Sequence, residues 1–328
     1  MAKTRLADVA MFGKESTWGT GAAATIALFL DEPLDIKPIA NTKEDNPVIG
    51  RLESNIGEHI VSKSSEISGK GIARRDSLGL LLMQLFGTVT KTAGSPEATV
   101  NTFDFVVKND NVHPSYQVET GAGILFDSGV KQVLGTRLDS LSLDIVKEDY
   151  MKFDAKWKGK YPSTGTNASF AATSETVFMA KHATIKLAAN IAGLGAASAI
   201  NFVQAKIKFA KKAELAFGLA LDPLDIFPTQ FEITGEFTID ASDSTYFDLS
   251  SADTYKALRF QMIDTGTTIG TTTNPKFTLD ISQVKLKDWG LSGGKNNRAE
   301  QTFAFNAHYS LTDAKMATAQ LINTFTAY

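Results

Sequence analysis

Glu66-Ile67-Ser68-Gly69-Lys70 returns as Glu232-Ile233-Thr234-Gly235-Glu236, and this return decides how the chain is read. A second phrase precedes each copy. Leu30-Asp31-Glu32-Pro33-Leu34-Asp35-Ile36-Lys37-Pro38 stands before the first, and Leu221-Asp222-Pro223-Leu224-Asp225-Ile226-Phe227-Pro228 before the second. A unit that recurs in the same order implies a duplicated domain suited to symmetric assembly, with no need for a catalytic cleft. Coincidence is the other explanation, because both phrases are short and their spacing differs. Between Pro38 and Glu66 lie 27 residues, and between Pro228 and Glu232 only three. The first half thus carries an insertion, about 39–65, rich in Asn, Lys, Glu and Gly. A connection of that length is functional or mobile: either a projecting hairpin that touches a neighbour, or a disordered loop.

Around the echo, the dominant signal is period two, the mark of strands with one buried face. Lys152-Phe153-Asp154-Ala155-Lys156-Trp157-Lys158 alternates charge with apolar bulk. The stretch from Gln301 to Tyr309 puts Phe303, Phe305, Ala307 and Tyr309 on one side. Runs over 138–145, 207–209, 231–239, 277–282 and 284–287 do the same, as antiparallel sheets require. Helices are few. Asp76-Ser77 caps a short helix over Leu78 to Phe86, closed by Gly87. A matching helix is expected near Phe247 to Leu258, after the second echo, and a last one from Asp313 to Phe325.

A Ser/Thr/Ala/Gly-rich stretch opening at Pro162 reads as a junction. The expected organisation is a first domain over 1–161, a junction over 162–180 and a second domain over 181–328. The Gly/Ala-rich run from Ala192 to Ala199 reads as a flexible link. The length of 328 residues suits two domains, and 43% hydrophobic content fills two cores. The longest apolar runs are too short to span a bilayer, and Asp8 interrupts the N-terminus where a signal-peptide core would lie.

Net charge is −3, with 19 basic and 21 acidic groups in residues 1–165. Gripping nucleic acid takes clustered Lys and Arg, and here the basic residues are interleaved with acids and apolar residues. With no cysteine, there is no disulfide framework, thiol nucleophile or thiolate metal site. His59, His113, His182 and His308 show no ligand spacing. Asp240, Asp243 and Asp248 lack calcium-loop spacing and read as turn residues. Gly290-Leu291-Ser292-Gly293-Gly294 has the bare pattern of a nucleophile elbow. An alternating strand follows it instead of a helix, so it reads as a hairpin loop. No catalytic, cofactor-binding or metal-ligating residue is assigned, and the chain is not read as an enzyme.

Gly13-Lys14-Glu15-Ser16-Thr17-Trp18-Gly19-Thr20 resembles the opening of long-tailed phage major tail proteins, or tail tube proteins. Glu66 to Gly71, Leu78 to Leu82, Phe86-Gly87 and the strands from Leu138 to Lys160 resemble the next signatures of that family. The strands from Ala205 to Tyr309 follow its later pattern. Trp18 stands where the family pattern has Tyr or Phe. The resemblance implies a mainly β fold: two tandem β-sandwich or half-barrel domains, each with a short flanking helix. It implies a structural virion protein whose copies close into rings, stacked as the tail tube through which genome DNA is ejected. Its partners would be itself, the tape-measure, tail-terminator and tail-tip proteins, and DNA passing without sequence-specific binding. No cofactor or membrane enters. It would assemble in the host cytoplasm and end in the virion tail. A duplicated chain would fill six places in a ring with three copies; a hexamer of whole chains is the alternative. The expected assembly contacts are Trp18 and, on the arm, Lys43, Glu44, Asp45, Arg51 and Glu53. A carbohydrate- or receptor-binding β-sandwich of a fibre or adhesin is the competing class. It predicts aromatic clusters on loops, whereas the aromatics here lie mostly within strands.

Overall fold

A computed structural model describes residues 10–47, 55–110, 112–120, 130–165, 175–241, 245–252, 254–293 and 298–328. In chain order, the first half holds β1 (Ala10–Lys14), β2 (Ile26–Leu28), β3 (Asp35–Asp45) and β4 (Gly57–Ile72). Helix α1 (Ser77–Phe86) follows, then β5 (Gly87–Ala93), β6 (Asn101–Val107), β7 (Tyr116–Thr120), β8 (Lys131–Val146), β9 (Lys152–Gly159) and β10 (Ser163–Thr164). The second half opens with β11 (Ala183–Ala188), β12 (Ala199–Ile200), β13 (Phe202–Ala210), β14 (Ala213–Phe217), β15 (Pro223–Pro228) and β16 (Glu232–Asp240). Helix α2 (Thr245–Ser251) then leads to β17 (Lys256–Ile263), β18 (Lys276–Ser292), β19 (Glu300–His308) and β20 (Ala317–Asn323). The protein is mainly β, and every strand pairing among the described residues is antiparallel.

The two halves pair their strands in one order. In the first, β9 lies between β4 and β8; in the second, β19 lies between β16 and β18. A helix follows β4 and another follows β16. β10 continues the line of β9 along β8, and β20 continues β19 along β18. β7 flanks the start of β8, as β17 flanks the start of β18. Both echo glycines sit on the first strand of their unit, Gly69 opposite Ala155 and Gly235 opposite Phe305. A Cβ on Gly235 would stand 2.5 Å from the Lys206 carbonyl oxygen and 2.6 Å from the Phe305 ring. A Cβ on Gly69 would come within 2.9 Å of Leu34. The recurring glycine therefore makes room for a neighbour packed across the strand.

The halves join edge to edge. β8 pairs with β13 from Ser140 opposite Ala210 to Val146 opposite Gln204. The main strand order is thus β3-β4-β9-β8-β13-β16-β19-β18. A second join pairs β6 with β20. One contiguous apolar cluster runs through both halves, from Phe12, Trp157 and Leu143 to Phe237, Phe277 and Phe303.

Several local expectations are corrected. The upstream phrase is not a structural repeat. Asp35 and Ile36 lie on β3, paired with β4, whereas Asp225 and Ile226 lie on β15, paired with β14. Leu34 is 1% exposed and Leu224 is 61% exposed. Counting from that phrase hid a second hairpin: β13–β14 runs out and β15–β16 returns, as β3 runs out and β4 returns. The stretch 313–325 is not helical; β20 buries Ala317, Ala319, Leu321 and Asn323 at period two, filling the gap between β6 and β18. Helix α2 ends at Ser251, and β17 begins at Lys256, because Ala257, Leu258, Phe260 and Met262 pack into the core. The run 192–199 is no loose link: Ile191–Leu194 forms a 3-10 turn capped by Asn190, with Leu194 buried.

Helix α1 is buried along its whole length and closes at Gly87 in the left-handed region, φ 84°. Its N-terminus is satisfied differently from the sequence expectation. The Asp76 carboxylate pairs with Arg75, while the Glu175 carboxylate accepts the N–H groups of Asp76 (3.2 Å) and Ser77 (3.0 Å). The start of a buried helix needs such an acceptor.

Candidate assembly surface

Two hairpin arms leave the sheet. The first is the distal part of β3–β4. Past a register shift between Asn41 and Thr42, Lys43 faces His59, Glu44 faces Glu58 and Asp45 faces Gly57. Thr42 to Asn46 are exposed, as are Ile56, Ile60 and Val61. Thr42 donates to Glu58, Asn46 donates to Glu44 (2.9 Å), and the Ile56 N–H donates to the Asp45 carbonyl (3.0 Å). A two-stranded ribbon open on both faces has little to bury on its own. Lys43, Glu44 and Asp45 lie together at its outer end; Arg51 and Glu53 fall outside the described residues.

The second arm is β14–β15, which the sequence reading missed. Phe217, Leu219, Leu221 and Leu224 are exposed around its tip. The Lys63 N–H donates to the Leu221 carbonyl at 2.7 Å, laying the tip against β4. Asp225, which faces Ala216 on the arm, forms an ion pair with Arg137 at 3.1 Å. The Ala213 N–H donates to Asp139 (2.9 Å), and Lys158 donates to the Ala213 carbonyl (2.6 Å). The available signal was Asp222-Pro223, a turn dipeptide after Gly218.

Where β13 gives way to β14, Lys211 turns inward and is buried. Its Nζ donates to the Gln84 carbonyl at the end of α1 (2.8 Å) and to His113 Nδ1 (2.9 Å). His113 Nε2 donates to the Lys108 carbonyl (3.0 Å), which leaves Nδ1 as the acceptor. These two acceptors are neutral. Burial, followed by the charge of Arg137, pulls the Lys211 amine down to about 7. Burial, then the charge of Lys211, pulls His113 down to about 4.

Trp18 is placed apart from the arms, against the body of its own chain. Its Nε1 donates to the Gly135 carbonyl (3.2 Å), and Lys160 Nζ lies 4.5 Å from its ring centroid. Gly135 has φ 62° at the bend of β8, and a Cβ there would meet the Trp18 ring at 2.7 Å. The Glu15 carboxylate gathers N–H groups of Gly19 (2.8 Å), Gly21 (3.3 Å) and Gly135 (3.0 Å) and the Ser115 hydroxyl (2.7 Å).

Several of the residues weighed for chemistry occupy structural places, while Asp243 and Gly294 fall outside the described residues. His113 supports Lys211, His182 lies 3.3 Å from Asp264, and the His308 ring packs edge-on to Tyr255. Ser292 ends β18 and donates to the Glu300 carbonyl at 3.4 Å. Asp240 pairs with Arg298. Among the described residues, no group of three or more His, Asp or Glu is placed to hold a metal ion, and no helix is long and apolar enough to cross a membrane.

A family model described as phage tail tube protein matches residues 9–307. No curated protein matches the chain.

Proposed function

Since this chain belongs to the phage tail tube protein family, we propose that three copies close into a ring of pseudo-sixfold symmetry and that the rings stack into the tube through which genome DNA leaves the virion. The observation that carries this reading is the repeated strand order, β4-β9-β8 and β16-β19-β18, joined within one chain through β13. One chain then presents two similar units side by side, each filling one place of six. Closed rotation satisfies sheet edges that would otherwise template unlimited growth. Stacking along the axis is the open contact, and the β3–β4 ribbon, with Lys43, Glu44 and Asp45 at its outer end, is the arm that reaches the neighbour.

A net charge of −3 suits a conduit. Clustered cations would hold phosphates by counterion release, whereas a neutral or acidic wall lets the duplex slide. The further partners of this reading are the tape-measure protein as length template, the tail-tip protein at one end and the terminator at the other. Assembly takes place in the host cytoplasm.

Electron microscopy of assembled tubes tests the reading. The expected image is a ring of six similar lobes whose mass corresponds to three chains. Six whole chains per ring would replace the three-copy ring with a hexamer. Protein that forms neither rings nor tubes under any assembly condition would overturn the tube.

A further inference from the structure

We propose that β18, where its edge opens at Leu286 and Lys287, takes Asp35–Lys37 of a second copy as an added antiparallel strand. This rests on the tube reading and specifies the join that reading requires. The main strand order begins at β3 and, past Val284, ends at the far part of β18, while the near part of β18 carries on through β17 to β11 and β12. Among the described residues β3 pairs with β4 alone, and β18 from Leu286 onward pairs with β19 alone.

The internal join shows what is missing. On the side away from β9, β8 carries β7 along its first part and β13 along its second. On the side away from β19, β18 carries β17 as far as Val284, opposite Lys256, and then no described strand. The absent neighbour is the counterpart of β13. That strand is the outgoing limb of the hairpin returning through β16, and β3 is the outgoing limb of the hairpin returning through β4. The chain therefore holds one edge awaiting a strand and one strand with an open edge, at opposite ends of the same order. Head-to-tail contacts of this kind close into a ring when the rotation allows it.

The register follows from the echo glycines. Gly69 faces Ala155, which faces Leu141; Gly235 faces Phe305, which faces Leu286. Leu141 faces Phe209, and Phe209 faces Ile233. The first-half counterpart of Ile233 is Ile67, which faces Ile36. Transferring that register sets Leu286 against Ile36 of the second copy and Lys287 against its Asp35. An aliphatic pair and an opposite-charge pair then stand across the join. One position on, Lys285 comes beside Lys37, which faces Glu66 across β4. Pairing stops at Pro38, which has no N–H to give. The internal join stops at the matching place, Ala210, one residue before Lys211.

The chain has no cysteine, so paired thiols can report the join. Asp35→Cys combined with Lys287→Cys, assembled into tubes and oxidised, should give a covalent ladder ending at three chains on a non-reducing gel. Lys43→Cys with Lys287→Cys should give none. Tubes that assemble but do not crosslink through the first pair, or that crosslink equally through the second, overturn the edge assignment and leave the tube reading standing. Failure of the unsubstituted protein to form any ring or tube overturns both. A ladder ending at six chains supports the edge assignment and removes the three-copy ring. As a second measurement, Asp35→Lys and Lys287→Asp should each lower the assembled fraction by at least about tenfold, and the double exchange should restore it. A double exchange no better than either single one overturns the pairing.

Discussion

Lys211 Nζ lies 2.9 Å from His113 Nδ1, buried where the second hairpin arm leaves the sheet. Its other acceptor is the Gln84 carbonyl at 2.8 Å. A neutral amine has two N–H groups, and both are used here. An ammonium would bring a third donor and an uncompensated charge into an apolar site.

That arrangement makes stability depend on pH. The Lys211 amine ordinarily titrates at 10.5 and in the fold at about 7. Above 10.5 both states are neutral and the group has no effect. As pH falls from 10.5 to about 7, the unfolded chain takes a proton that the fold refuses, and stability is lost; below about 7 the loss levels off. Unfolding midpoints in urea should therefore rise between pH 7 and 9. In Lys211→Met that rise should be smaller, whatever the midpoint itself does. Equal rises in the two proteins would show that the amine is charged in the fold.

Asp225 steadies the second arm through the buried Arg137 guanidinium. Asp225→Asn leaves that cation without its carboxylate while changing little shape. The partial exposure of Asp225 moderates the loss, expected at about 1–2 kcal/mol. Limited proteolysis should show faster cleavage around Gly218–Asp222 than in the unsubstituted protein. An unchanged cleavage rate would place the anchoring of the arm elsewhere, in the Ala213 and Leu221 backbone bonds.

Glu175 substitutes for a side-chain cap at the start of α1. Glu175→Ala should cost about 1 kcal/mol, in the range found for lost N-caps. Glu175→Gln keeps an oxygen acceptor and should cost less. Chemical denaturation of the two variants side by side checks the order; equal losses would mean that the carboxylate charge, not the acceptor, holds the helix start.

Gly235→Ala sets a methyl 2.5 Å from the Lys206 carbonyl oxygen and against the Phe305 ring. Backbone cannot yield as a flexible side chain does, so the expected loss is about 2 kcal/mol or more. Gly195→Ala is the control, because no atom beyond its own chain neighbours lies within 4 Å of the added methyl. Its effect should stay within about 0.5 kcal/mol. Thermal melts of both variants decide whether the echo glycine is a packing requirement.

Shortening the first arm by replacing residues 42–60 with a two-residue turn should leave a folded monomer. Residues 65–72 of β4 keep their pairing with β9. Circular dichroism should be nearly unchanged and tube formation lost. Tubes that form normally would remove the ribbon from the assembly contacts.

Much of the sheet was legible because period two survives wherever one face is buried. Phe153, Ala155 and Trp157 mark β9, and Phe303 and Phe305 mark β19, by alternation alone. The helix at Leu78–Phe86 announced itself through Gly87. The misread elements share one cause: a local pattern compatible with two structures, settled by a distant partner. Leu321 and Ile322 suit a helix face, and only the gap between β6 and β18 makes 317–323 a strand. Lys211 reads as surface charge beside Lys212, since its acceptors Gln84 and His113 are 127 and 98 residues away. The cap from Glu175 is hidden in the same way. The second arm was masked by the Leu-Asp-Ile phrase, whose likeness in sequence carries no likeness in place.

The pairing of β8 with β13 has a mechanical consequence. In a ring of three chains, every second seam is closed inside a polypeptide before any encounter takes place. Such a seam forms at the high effective concentration of a tether and cannot be diluted away. On the three-copy reading, only the seams between chains would remain to be made by collision, and those would be the first to open under load. The ring would behave as three stiff plates on three hinges rather than six equal wedges, with strain gathering at every other lobe.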